Sequence, residues 1–120
     1  MMFAAVFALV VGIGMLIQWG LSFASKQIPE LHSEPIRIVF HLAGEATTAI
    51  LLIISGMGLL RSALWAPTIF YIAAGMLMYT AIVSPGYFAQ QGNWKWLIFF
   101  GAILVLAVVA LLIVSSPAAT

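Results

Sequence analysis

His41 and Glu45 stand four residues apart in "VFHLAGEATTAILLIISG", a stretch from Val39 to Gly56 that is otherwise almost wholly apolar or small. On a helix that spacing places an imidazole and a carboxylate one above the other. There they can share a proton, form a charge pair, or act together on a ligand as acid and base. The whole chain holds only three acidic side chains, four basic ones and two histidines, so two ionisable groups in such surroundings call for a reason. Steps of three or four residues from Glu34 extend the pattern: Arg37, His41, Glu45, Thr48, Leu52 and Ser55 fall on the same face. All but Leu52 are polar, whereas the other faces carry residues such as Val39, Phe40, Leu42, Ile50 and Ile53.

Depth sharpens the question. Arg37 lies one turn into the helix and can snorkel to a membrane surface. His41 is roughly 6 Å deeper and Glu45 roughly 6 Å deeper again, at 1.5 Å per residue. A charge near the middle of a bilayer costs at least about 2.5 kcal/mol even on lenient insertion scales. The polar face must therefore look into a helix bundle, an oligomer interface or a water-filled cavity. The order Arg37, His41, Glu45 suits inward passage of a proton. Two readings compete on equal terms: a buried pair that locks helix packing, and a proton- or ligand-binding site.

Other residues join the site or fall away. Tyr71 and Tyr79 are eight apart, share a face with Gly75 between them, and could line a cavity opposite His41 and Glu45; Thr80 follows directly. Glu45, His41, Arg37, Thr48, Tyr71 and Tyr79 make up the expected ligand- or proton-binding set. Gln18 reads as an interfacial side chain. A metal could be held by His32, His41 and Glu45, with Glu30 and Glu34 nearby in "PELHSEP", only if that loop folds back over the helix; a solvated interfacial loop is the simpler reading. Two histidines nine residues apart cannot sandwich a haem from one helix. With no cysteine, disulfides, thiolate chemistry and iron–sulfur ligation are excluded. No HExxH pattern, phosphate loop, dinucleotide fingerprint or nucleophile–base pair is present. The chain therefore implies no cofactor and leans away from an enzyme. Its net charge of +1 and lack of a basic cluster speak against nucleic-acid binding.

The elements that position these residues are legible in composition and run length. Hydrophobic residues make up 65% of the 120 and charged residues 6%, with mean hydropathy +1.23, whereas a soluble domain carries about 25% charged residues. Four apolar runs, about 3–24, 36–60, 64–83 and 94–114, each have the length of a membrane-spanning helix. The fold class is all-α, an integral membrane four-helix bundle with short loops, forming one transmembrane domain over residues 1–120. Turn residues separate the runs in Ser25–Pro35, Arg61–Pro67 and "SPGYFAQQGN". Pro35 and Pro67 suit helix starts, and Trp65, Trp94, Trp96 and Tyr87 sit where interfacial anchors belong. The first run lacks a basic leader region and exceeds a signal-peptide core, so it reads as a retained span. The fourth has no polar side chain after Lys95 until Ser115 and reads as packing and lipid contact. Small residues at four-residue spacing, Ala4–Ala8–Gly12 and Gly44–Thr48, suit close helix approach. Lys26, Arg37 and Lys95 against Arg61 mildly favour the first and third loops in the cytoplasm, a bias small enough for dual insertion.

These readings make the chain a multi-pass protein of the cell membrane if prokaryotic, with the lipid bilayer as its medium. It is expected to be a homo-oligomeric transporter or channel-like protein with its site on the second helix and an unidentified small-molecule ligand. An accessory subunit of a larger membrane complex and a lipid- or quinone-binding enzyme are the alternatives. Single cysteines introduced at Ile53 and at Leu106 should resist a membrane-impermeant thiol reagent in intact membranes; ready labelling of either from the water side would sink the span assignment.

Overall fold

The computed structural model describes residues 1–26 and 30–116, the side chains of Glu30 and Leu31 excepted. Among these residues the chain forms helices α1 (Met2–Ala24), α2 (Glu30–Ser33), α3 (Pro35–Leu60), α4 (Ala66–Val83), α5 (Pro85–Gln90) and α6 (Trp94–Ser115), with no strand. Four segments are long and apolar enough to cross a membrane: α1, α3, α4 continued through α5, and α6. Hydrocarbon offers backbone groups no hydrogen bonds, so apolar runs of this length satisfy their amides internally as helices.

Local chemistry sets the ends. Pro35 takes the first helical position of α3 after Glu34, whose φ of −141° is extended. α3 stops where Ser62 turns left-handed at φ 54°, and the Ser62 and Ala63 amides then donate back to the carbonyls of Leu59 and Gly58. That is a Schellman closure, here built on serine where glycine is usual. α5 closes the same way on Gly92, φ 72°, with Gly92 and Asn93 donating to Ala89 and Phe88.

The stretch "SPGYFAQQGN", expected as a loop after residue 83, departs from that expectation. Ser84 keeps helical dihedrals, Pro85 starts a new helical turn, and α5 runs on to Gln90. Proline interrupts the hydrogen-bond ladder but tolerates a helix start, so it breaks the segment without ending it. A ring cluster holds α5 against α6: Phe88 stacks on Trp96 at 5.1 Å and on Phe100 at 6.1 Å.

The chain runs up and down. Trp19 meets His41, Gly12 faces Ala49 and Gly56 faces Ala5, so α1 and α3 are antiparallel. Gly58 against Trp65 and Ala66, with Glu45 against Thr80, sets α3 and α4 antiparallel too. α6 packs on α4 and, more thinly, on α1, burying Ala107, Ala110 and Val114. The core is mostly small residues around Leu52, Phe70 and Val114.

The α1–α3 seam is the most extensive helix contact. A Cβ on Gly12 would stand 2.8 Å from the Ala49 carbonyl oxygen and 2.9 Å from Ile53 Cγ1. Gly12→Ala should therefore lower stability by about 1–3 kcal/mol, because a backbone oxygen cannot swing aside as a side chain can. Gly14→Ala, with nothing within 4 Å, should be neutral or gain up to about 1 kcal/mol of helix propensity. Thermal unfolding of both variants in one detergent checks this, and equal behaviour would contradict the seam.

Candidate functional site

α3 and α4 enclose a groove of about 660 Å³ along their outer seam. Phe40, His41, Gly44, Glu45 and Thr48 form its α3 wall, and Tyr71, Gly75, Met76, Tyr79 and Thr80 much of its α4 wall. Antiparallel packing brings these residues together although they lie as many as 43 positions apart, from Phe40 to Val83. The groove owes its width to two glycines, since a Cβ on Gly44 or on Gly75 would meet nothing within 4 Å.

Glu45 is its buried charge-bearing group, 9% exposed. The Thr80 hydroxyl donates a hydrogen bond to Glu45 Oε1, linking the two helices, and Thr80 Oγ1 lies 2.9 Å from Ser84 Oγ. His41 Nε2 stands 3.8 Å from the same Oε1, beyond hydrogen-bonding distance. Its side chain is 39% exposed and meets the edge of the Trp19 ring at 5.7 Å. Glu45 Oε2 makes no hydrogen bond among the described residues, and no side-chain polar atom among them is both buried and unpartnered. Oε2 is therefore open to the groove. The carboxyl thus has one oxygen fixed by a neighbouring helix and the other presented to whatever occupies the groove. Such a group can take up a proton or accept a hydrogen bond from a ligand.

The residues expected at the site divide. His41, Glu45, Thr48, Tyr71 and Tyr79 all line the groove. The Thr48 hydroxyl donates to its own helix, to the Gly44 carbonyl at 2.8 Å, so Thr48 shapes the wall. Arg37 points away toward the start of α3 and pairs with Glu34 at 2.7 Å, both exposed. The Arg37 hydrogen bond and charge hold the Glu34 carboxyl below its ordinary range. The side-chain order Arg37, His41, Glu45 is thus not continuous: its first member faces Glu34, and the close partner of Glu45 comes from another helix. Gln18 donates to Ser22 on its own helix at 3.3 Å.

Two residues of the Glu45 hydrogen-bond network escape a reading of one helix at a time. Thr80 is visible in the sequence beside Tyr79 without an evident role, and Ser84 falls in a stretch expected as loop. Their spacing of four, at the end of an apolar run, is the signal that could have found them. Among the described residues no three His, Asp or Glu side chains gather as a metal site; His32 is exposed on α2. Pro29 and the side chain of Glu30, from the loop considered as a source of ligands, lie outside the described residues.

Comparison with known proteins places this architecture in a family. The chain belongs to the family described as a domain of unknown function, DUF8058, which matches residues 1–119. No curated protein and no solved structure matches it.

Proposed function

We propose that this DUF8058 protein is a small transporter or channel-like protein that crosses a cell membrane four times, acts as a homo-oligomer, and works through proton binding at Glu45. The observation that carries the reading is a buried carboxyl, deep in an apolar helix, that is only half engaged by the protein. A group placed there for packing alone would have both oxygens satisfied, because an unmet polar atom in hydrocarbon is expensive. Glu45 instead keeps Oε2 open to the groove, with His41 as the nearest titratable group on α3 and Tyr71 and Tyr79 lining the same groove from α4. The reading of Glu45 and His41 as a structural lock is weakened by the 3.8 Å separation and the exposure of His41.

Glu45→Gln tests this directly, because the chain has only three acidic side chains. The parent's protonated-carboxyl infrared signal should contain a component that the variant lacks, while the bands of Glu30 and Glu34 remain in both. Stability should stay within about 1 kcal/mol of the parent, since the amide can still accept from Thr80 and a part-exposed ion pair is worth about that little. A loss of about 3–5 kcal/mol would instead mark a buried charge pair. An unchanged carboxyl titration in the variant would remove Glu45 from the function.

The homo-oligomer reading is supported by the position of the groove, which opens along one flank of the bundle instead of being enclosed within it. One chain leaves little room for a sealed solute path between four closely packed helices. Native mass measurement in mild detergent and in lipid nanodiscs should show at least a dimer. A clean monomer in both media would count against it.

A further inference from the structure

We infer that the α3–α4 groove is a lateral binding site for a single-chain amphiphile whose head carries an O–H or N–H donor, the head bonding Glu45 Oε2 and the tail lying toward Tyr71. This rests on the reading of Glu45 as a working group and adds the chemistry of what it receives. Three observations converge on it.

First, Oε2 of the ionised carboxyl is an acceptor without a partner among the described residues, so the ligand atom that complements that form is a donor. Second, the groove is polarised along its length. Glu45, His41 and Thr80 lie toward one end. From Thr80 back to Tyr71 the α4 wall runs nine residues, about 13 Å at 1.5 Å per residue, and between Tyr79 and Tyr71 presents Met76, Gly75 and Ile72. A polar head at one end and a chain along apolar residues at the other match that gradient. Third, the volume is suited to a small ligand, since such sites span about 300–1,000 Å³, and this one measures about 660 Å³.

Gly75 supplies the decisive variant. A Cβ there meets nothing within 4 Å, so Gly75→Leu should fill the groove while leaving helix packing and Glu45 in place. The protein is purified in an amine-oxide detergent, which has no hydrogen-bond donor at neutral pH. It is titrated with decanol, decylamine and decyl methyl ether, and bound ligand is counted by native mass spectrometry. Decanol, decylamine or both should occupy one site per chain. The ether, of similar length but without a donor, should bind at least about tenfold more weakly, as expected for loss of a hydrogen bond to a charged group. Binding of decylamine alone assigns an ammonium head, and binding of decanol assigns a hydroxyl head; either supports the inference. Gly75→Leu should weaken the same ligands at least about tenfold with a melting temperature no lower than the parent's. Equal binding of the ether, or undiminished binding to Gly75→Leu, overturns the inference. So does dissociation of the oligomer in that variant, which would make the groove an interface between copies. If no amphiphile binds while Glu45 still titrates in the parent, the inference fails and the proton-site reading stands; if the titration is absent, that reading fails as well.

Discussion

A carboxyl group as buried as that of Glu45, 9% exposed, has little bulk water to solvate it, and the pairing of α3 with α4 is arranged around that constraint. The Thr80 hydroxyl supplies what water would otherwise supply, a donor to Oε1. A threonine side chain is short, so the two helices must approach closely at that level and stay in register. Ser84, one turn on, lies within hydrogen-bonding distance of Thr80 Oγ1. A small network thus fixes one carboxyl oxygen. It also sets the helix–helix geometry that leaves the other oxygen facing a groove.

The two sides of α3 use glycine for opposite ends. Toward α1, the space a Cβ would need at Gly12 and Gly56 is already filled by Ala49, Ile53, Ala5 and Leu9. The absence of a side chain there becomes close packing, the favourable outcome for helices that gain little from hydrophobic burial in lipid. Toward α4, the space beside Gly44 and Gly75 is empty. The same absence there becomes volume. α3 is therefore close-packed along α1 and, through Gly58, against Trp65 and Ala66, but open on the α4 side at the level of Glu45.

This division explains what the sequence could and could not disclose. Run length and composition suffice for the helices because hydrocarbon permits few alternatives to a helix. The one-sided stripe of α3 is equally plain, since a period of 3.6 residues collects Glu34, Arg37, His41, Glu45 and Thr48 on one face. Which of these act together is decided by neighbours that periodicity cannot name. Arg37 finds Glu34 three residues earlier, a local pairing as compatible with the pattern as the deeper one toward His41. Thr80 meets Glu45 across 35 positions, which no single-helix pattern encodes. The Gly44–Thr48 spacing suggested a packing seam by the same rule as Ala8–Gly12, yet Gly44 opens onto the groove. Small-residue spacing says that a close approach is possible, and only the partner helix decides whether it happens.

The placement of the polar side chains also has a direction. Trp19 against His41, Gln18 with Ser22, Arg37 with Glu34, and Thr80 with Ser84 all lie toward the end of the bundle where α1 finishes, α3 begins and α4 breaks at Pro85. Beyond Glu45 toward the opposite end, the Thr48 and Ser55 hydroxyls are turned back onto carbonyls of their own helix. Leu52, Phe70 and Leu77 are buried in the core. Polar groups beside Glu45 thus continue toward one end of the helices and give way to packed hydrocarbon toward the other. The proline break contributes to this asymmetry: Pro85 interrupts the helical ladder directly after Ser84, so the hydroxyl pair sits where α4 gives way to α5. The buried carboxyl and its hydroxyl partner are therefore parts of one arrangement, and moving either along the sequence by a residue would swing its side chain about 100° around the helix and part Thr80 from Glu45.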